Sequence, residues 1–285
     1  MRTDGRRSSN IQDRRSLGTG VVGGGLGCGT IVVAILFVLL GGDPMTALQI
    51  VASDVQQQPQ GPTIAPETSD QYADFARVVL ADTEDVWNDQ FRRAGSSYRE
   101  PTLVFFSGSV RSACGTASAA VGPFYCGADQ KIYIDLSFYQ ELDQRLGAPG
   151  DFARAYVLAH EVGHHVQNLT GTLQKVNAQR SRMSEAQANA LSVRLELQAD
   201  CYAGIWAHHA QAQRQVLEPG DIEEAMRAAN AIGDDNLQRR SRGYVVPDSF
   251  THGTSAQRMQ WFTRGLNTGS IGACDTFDTQ HTSMR

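Results

Sequence analysis

The sequence has no surplus of basic side chains and no closely spaced pair of cysteines. Its 285 residues carry a formal net charge of −5, and beyond the first fifteen residues the arginines are scattered. A nucleic-acid-binding surface needs clustered Lys and Arg to meet the phosphates, so nucleic acid is not expected as a partner. None of the five cysteines falls in a CxxC pattern, which excludes the usual cysteine-based zinc and redox motifs.

Residues 16–42 have no charged side chain and end in the strongly apolar Ile31–Leu40. This run is long enough to cross a bilayer, which takes about 20 residues. The arginines ahead of it outnumber the acidic residues there, and the positive-inside rule then keeps the N-terminus in the cytoplasm. We therefore predict a cytoplasmic N-terminus (1–16), a single transmembrane anchor in the cell membrane (17–42) and an extracytoplasmic remainder. A cleaved signal peptide is the alternative, because the strongly apolar core is short.

Residues 43–69 are rich in Gln and Pro and are predicted to form a flexible linker. Residues 70–285 are predicted to form one α+β domain that is mostly helical with a small β-sheet, since helix-type spacing of apolar residues dominates there. Two short alternating runs predict strands. The strands are predicted over 102–106 and 131–135, and the helices over 70–93, 137–146, 151–169, 184–213, 222–231 and from Thr254, where Thr254 and Gln257 fit a capping box.

The predicted helix 151–169 carries the sequence His160-Glu161-Val-Gly-His164, an H-E-x-x-H motif. His160 and His164 are one turn apart and share a helix face, so both imidazoles can bind one zinc ion at about 2.0–2.1 Å. Glu161 is then placed beside a zinc-bound water as the general base. A five-residue pattern of this kind also arises by chance, but apolar neighbours on a well-formed helix favour a buried site.

A catalytic zinc usually has three protein ligands and one open position. The predicted helix 184–213 offers Glu196 and Asp200 on one face. Glu196 is predicted to be the third ligand, and Asp200 to accept a hydrogen bond from the far ring nitrogen of a ligand histidine. A solvated acidic face is the alternative, but apolar residues surround the pair, where unpaired charge would be unfavourable.

Several separate blocks of the sequence resemble one family, the bacterial neutral zinc metallopeptidases, which are membrane-anchored relatives of the gluzincins. The resemblance covers nearly the whole chain and includes Gly41–Pro44, Gly122–Cys126, Ile132–Asp135, His160–Gln167, Glu196–Cys201 and Pro247–Arg258. It implies a zincin-like fold and a gluzincin ligand set with Glu196 as third ligand. Family membership alone does not establish proteolysis.

The resemblance also draws attention to His252, because gluzincins commonly carry a further His or Tyr that hydrogen-bonds the tetrahedral oxyanion. His252 lies in a predicted loop two residues before Thr254, from which its side chain can enter a cleft. Its catalytic role is a prediction, and the alternative is that His252 and Arg258 only brace this turn. Tyr244 is a weaker candidate for the same task.

Four cysteines follow the predicted anchor, and an oxidising compartment would allow them to pair. Cys114 with Cys126 and Cys201 with Cys274 is the predicted pairing. Four cysteines allow three connectivities, and free buried thiols are a further alternative.

Taken together, the residues predict a membrane-anchored zinc (Zn²⁺) metallopeptidase acting on a peptide or protein substrate, with Glu161 as general base. The alternative is a non-hydrolytic, zinc-stabilised binding or adaptor domain tethered to the membrane. Glu161 argues for hydrolysis, since a structural zinc site has no need of a general base. A zinc hydrolase for a non-peptide amide has the same sequence signature.

Overall fold

A computed structural model describes residues 1–15 and 64–278. Within these ranges the protein is mostly helical with a small sheet, which confirms the predicted α+β class. The helices are α1 (Pro66–Arg93), α2 (Ser137–Gln144), α3 (Asp151–Leu169), α4 (Thr172–Arg180), α5 (Glu185–Arg214), α6 (Asp221–Ala231), α7 (Asp234–Arg242) and α8 (Ser255–Thr268).

Six short strands accompany the helices. They are β1 (Ile11–Asp13), β2 (Thr102–Phe106), β3 (Ser109–Ser112), β4 (Gly115–Ser118), β5 (Phe124–Cys126) and β6 (Lys131–Asp135). Four of them form a mixed sheet in the order β1-β2-β6-β5, in which only β5 runs antiparallel to its neighbour. Strands β3 and β4 form a separate hairpin between β2 and β5. The sheet therefore ends in β1 on one side and β5 on the other.

The structure has the elements that the strongest sequence patterns predict. Strands β2 and β6 and helix α3 have the predicted bounds, and Thr254 caps α8 with Gln257 in a capping box. Helices α4 and α7 were not predicted, because their short sequences are largely polar and lack an apolar stripe. Strands β3, β4 and β5 were also missed, since three or four residues give too little alternation to recognise.

The core forms where α3 packs against α1, α5 and α6. Near the start of α3, Phe152 stacks on Trp206 of α5 with ring centroids 5.6 Å apart. Helices α5 and α8 approach so closely that a Cβ on Gly265 would overlap the backbone at Cys201. The two long helices α3 and α5 are thus fixed side by side at the centre of the domain.

Residues 1–15 pack against this domain, with β1 paired to β2 in parallel. This differs from the prediction, which assigned residues 1–16 to a separate cytoplasmic segment and started the domain at residue 70. The pairing is hard to predict from the sequence, because β1 has only three residues and its partner strand is about ninety residues away. Helix α1 likewise begins inside the predicted linker 43–69, where Pro66 suits the first turn of a helix.

In residues 1–15 and 64–278, no helix is both long enough and apolar enough to cross a membrane. The predicted anchor at 17–42 and residues 43–63 of the predicted linker lie outside the described residues.

Candidate metal centre

The three predicted zinc ligands converge between α3 and α5. One ligand atom from each of His160, His164 and Glu196 lies within 4.8 Å of the others. Nε2 of His160 is 3.1 Å from Glu196 Oε2, and Nε2 of His164 is 3.4 Å from Glu196 Oε1. The helix periodicity places both histidines on the face of α3 that meets α5, and Glu196 faces them from that second helix.

These donors fit a zinc ion in chemistry and in spacing. Two imidazole nitrogens and a carboxylate are the ligand set of many catalytic zinc sites. Ligands about 2.0–2.1 Å from a tetrahedral zinc are about 3.3 Å from each other, and both histidine-to-carboxylate distances are near that value. The cluster holds three candidate protein ligands among the described residues, which is the number expected when a fourth position is left for water.

The ligands can converge because α3 and α5 touch at Gly163, inside the H-E-x-x-H motif. A Cβ on this glycine would lie 2.9 Å from the carbonyl oxygen of Ala199 and 3.0 Å from its Cα. Such a close approach leaves no room for a larger side chain on either helix. The spacing of the two helices is therefore fixed next to the ligands themselves.

Asp200 lies one turn after Glu196 and is completely buried. Its Oδ1 accepts a hydrogen bond from Nδ1 of His160 at 2.8 Å, which leaves Nε2 of that ring directed at the metal cluster. Tyr156 donates its hydroxyl to the same carboxylate at 2.5 Å, and Arg258 donates Nε and Nη2, each at 2.9 Å. Asp200 thus contacts the far ring nitrogen of His160, and its orienting role stays a prediction.

The charges in this cluster are strongly coupled. Burial lowers the pKa of His160, but the charge of Asp200 and the hydrogen bonds to Asp200 and Glu196 outweigh it and raise the pKa to about 10. Burial raises the pKa of Asp200, but Arg258 and His160 bring it down to about 2. Burial also raises the pKa of Glu196, but the charges of His164 and His160 and their hydrogen bonds hold it well below its usual range. Both carboxylates therefore stay ionised, and a metal ion that binds here displaces protons from the histidines.

His164 is oriented by Gln167, a residue that was not assigned a role from the sequence. Gln167 is fully buried, and its Oε1 accepts from Nδ1 of His164 at 2.8 Å. Its amide donates to the carbonyl of Leu195 at 2.7 Å and to Gln198 at 3.1 Å, on the helix that carries Glu196. The three-residue spacing on one helix face, His164 to Gln167, was a signal that could have identified it.

A family model described as "Putative neutral zinc metallopeptidase" matches residues 1–277 of the chain. The chain belongs to this family. The match supports a zinc peptidase at the level of the family, and it agrees with the resemblance that the separate sequence blocks carry. It also includes residues 1–15, which the fold places in the domain.

Similar proteins occur in several bacteria. The chain is 49% identical to YpfJ of Escherichia coli K12, described as an uncharacterized protein, over 97% of this chain and 99% of that one. It is 46% identical to uncharacterized proteins of Mycobacterium bovis and Mycobacterium tuberculosis over 63% of each chain. No solved structure matches the chain. The fold and site geometry therefore stand on this structure alone.

His252 is held by Asp234 at the start of α7. Asp234 Oδ2 accepts from the backbone N–H of His252 at 2.6 Å and from that of Gly253 at 3.0 Å. The hydrogen bond to Asp234 raises the pKa of His252 despite partial burial, and the charge of Glu196 adds to this effect. A Cβ on Gly253 would lie 3.1 Å from Val193 on α5, three residues before Glu196. His252 thus lies beside the metal cluster and outside its ligand set.

Three further residues differ in how they are placed relative to the metal cluster: Glu161, His165 and Tyr244. Glu161 is buried, with 7% of its surface exposed. Burial lowers the pKa of His164, but the charge of Glu196 and its hydrogen bond to His164 outweigh this and raise the pKa, and the charge of Glu161 adds to the increase. His165 points away from the cluster, as predicted: its Nδ1 meets the hydroxyl of Tyr125 at 2.9 Å. Tyr244 is 62% exposed, and no described contact links it to the cluster.

The structure has both predicted disulfides. Cys114 is bonded to Cys126 beside the β3–β4 hairpin, and Cys201 of α5 is bonded to Cys274 after α8. The second bond fixes the carbonyl of Cys274, which accepts from the Gln198 amide at 3.0 Å. It therefore ties the C-terminal segment to the side-chain network behind His164.

Proposed function

We propose that this protein hydrolyses peptide bonds at a zinc site formed by His160, His164 and Glu196. The observation that carries the proposal is the convergence of these three ligand atoms within 4.8 Å, beside the glutamate of the same H-E-x-x-H motif. Zinc held there would supply an activated water and polarise the scissile carbonyl. A gluzincin-type arrangement is the family-level expectation that this ligand set supports.

The chain's own residues have distinct roles in this proposal. Glu161 accepts the proton of the attacking water and passes it to the leaving amine, which suits a buried carboxylate next to the ligands. His252, with its Nδ1 3.3 Å from Asp234, stabilises the oxyanion as a hydrogen-bond donor. Asp200 and Gln167 hold the ligand imidazoles in place by accepting from their Nδ1 atoms.

An extended peptide is the substrate that the sheet can accommodate. Strand β5 ends the sheet in the described part of the chain, and α3 packs beside it. Tyr125 of β5 contacts His165, which immediately follows the ligand His164. A peptide that adds to the open side of β5 would lie on the strand that packs beside α3, the helix of His160 and His164, and its backbone would supply the hydrogen bonds.

The second candidate function is a non-hydrolytic zinc-stabilised binding or adaptor domain. It uses the same three described ligands, so the two candidates differ in what Glu161 does and in whether a fourth protein ligand closes the site. A closed structural zinc site normally has four protein ligands, and the described cluster has three. This count favours hydrolysis.

The deciding experiment compares Glu161→Gln with Glu185→Gln in the purified full-length protein. Glutamine at 161 keeps the shape of the side chain but cannot accept a proton, so we expect about one zinc per chain and loss of peptide hydrolysis. Glu185 is exposed at the start of α5, so its variant should match the parent in both measurements. Full activity in Glu161→Gln, or no activity in the zinc-loaded parent, would favour the adaptor.

The cellular location remains a prediction. Two disulfides are typical of an extracytoplasmic domain, which supports the predicted side of the membrane. Attachment to the membrane through residues 17–42 is part of the proposal.

A further inference from the structure

Residues 1–15, here called the N-terminal strap, run along α1 and end in the sheet. The backbone N–H of Ser8 donates to Arg77 of α1 at 3.0 Å, and the N–H of Leu103 donates to the carbonyl of Asn10 at 2.9 Å. Strand β1 then pairs with β2, and the N–H of Arg14 donates to Phe105 at 2.8 Å. These backbone bonds make the strap a part of the domain's sheet.

A buried carboxylate on α1 depends on the strap. Glu84 has a fully buried side chain, and all of its hydrogen bonds within the described chain come from strap residues. Arg6 donates at 2.9 Å, the Ser8 hydroxyl at 2.6 Å and the Asn10 amide at 2.8 Å. The strap therefore supplies the hydrogen bonds that a buried carboxylate needs.

The strap's charges also match the surface beneath it. Arg7 forms a two-point ion pair with Asp74, with distances of 2.9 and 2.6 Å, and Arg15 meets Asp70 at 2.9 Å. Exposed pairs of this kind add little stability but fix the register of the segment. The amino group of Met1 lies among acidic side chains and donates to Asp151, the first residue of α3, at 2.7 and 2.6 Å.

We infer that the N-terminal strap and the metal-site domain lie on the same side of the membrane. Hydrogen bonds between β1 and β2 need the two strands about 4.8 Å apart, whereas the apolar layer of a bilayer is about 30 Å thick. A single crossing between residues 17 and 42 would put the strap on the opposite side from α1 and β2. Three of the five arginines that favour a cytoplasmic N-terminus, Arg6, Arg7 and Arg15, instead pair with carboxylates of α1.

A cross-link between Arg7→Cys and Asp74→Cys tests this inference in the full-length chain. Both positions are about half exposed and within an arginine's length of each other, so a short bis-maleimide should join them. Cys28→Ser removes the remaining unpaired thiol, and a specific protease site placed in residues 56–62 allows the two halves to be separated afterwards. A full-length band after cleavage then reports the cross-link.

We expect the cross-link to form in intact cells as efficiently as in the detergent-solubilised protein. A matched control pairs Arg7→Cys with Tyr244→Cys, an exposed position without a described contact to the strap, and should give separated halves. A cross-link that forms only after solubilisation would place the strap and the domain on opposite sides. No cross-link in either condition would show that the strap is not docked. Either result overturns the inference.

A second measurement tests the docking without labelling. Ser8→Ala removes the hydroxyl that donates to Glu84, and Glu84→Gln removes the charge of the carboxylate that accepts it. Each variant should therefore have a lower Tm. If the side chains of Ser8 and Glu84 interact, the Tm of the double variant should fall by less than the sum of the two single decreases. Strictly additive losses would mean that Ser8 and Glu84 do not meet, and would overturn the docked arrangement.

Discussion

Gly163 of α3 lies directly against Ala199 of α5, with the Ala199 carbonyl oxygen 2.9 Å from where a Cβ on the glycine would be. The contact falls between the two ligand histidines in the chain and three residues after Glu196. Helix spacing and metal geometry are therefore set by one contact, which explains why the middle of the motif has a residue without a side chain.

Gly163→Ala should destabilise the protein and weaken zinc binding together. The added methyl group must push α5 away, and overpacking of this kind typically costs about 1–3 kcal/mol. Denaturant unfolding of the metal-free protein and a zinc titration measure the two effects. Gly272→Ala is the matched control, because its Cβ would meet only Ser270 Oγ at 3.8 Å. Unchanged zinc affinity in Gly163→Ala would show that this contact does not set the ligand geometry.

Glu196→Ala should mainly lose zinc binding, whereas Asp200→Ala should also lose folding stability. Glu196→Ala leaves two protein ligands, so zinc binding should be lost while the metal-free fold survives. Asp200→Ala removes the partner of the buried Arg258 as well as that of His160. Breaking a buried ion pair costs about 3–5 kcal/mol, so this variant should unfold at lower denaturant even without metal.

Excess zinc separates these two effects. Loss of a residue that orients a ligand typically weakens metal affinity about 10–100-fold, so folded Asp200→Ala should regain activity as zinc is added. Glu196→Ala should not recover. Zinc binding by Glu196→Ala as tight as that of the parent would place the third ligand elsewhere.

The stabilisation that zinc gives should grow with pH. The pKa of His160 in the metal-free protein is raised from 6.5 to about 10. Its protonated form therefore stabilises the metal-free fold fully below about pH 6.5, and this contribution disappears as pH rises through about 10. Zinc needs the neutral imidazole, so affinity should rise about tenfold per pH unit for each proton released.

Melting curves with zinc and with chelator, recorded between pH 6.5 and 9, measure this difference. We expect the gap in Tm to widen with pH. A gap that is constant across this range would mean that His160 does not release a proton on metal binding. His208→Gln is a suitable control, because His208 bonds Leu266 on α8 and lies outside the metal cluster.

His252→Ala should lower kcat and leave zinc bound. Removing one donor to an oxyanion typically costs about 10²–10³ in kcat. Asp234→Asn should have a milder effect of the same kind. The hydrogen bond to Asp234 positions His252 and raises its pKa, and asparagine would weaken that bond. Steady-state kinetics with one peptide, together with zinc content, check both variants. An unchanged kcat in His252→Ala would leave this histidine a structural role in the turn.

The residues that carry the proposed chemistry could be predicted from the sequence alone. The H-E-x-x-H motif, the Glu196–Asp200 pair, the helix that carries each and the mostly helical class could all be predicted, because these depend on spacing along single helices. The disulfide pairs could also be predicted, since their candidates were few.

Contacts between residues on different helices and strands could be seen only in the folded structure. It brought Arg258 and Tyr156 to Asp200, Gln167 to the helix of Glu196, and β1 to β2 about ninety residues away. Such contacts depend on how helices and strands pack, and a three-residue strand or a single glutamine leaves no periodic trace in the sequence. The position of residues 1–15 shows this most clearly, because their charge pattern suggested a membrane flank and their hydrogen bonds place them in the fold.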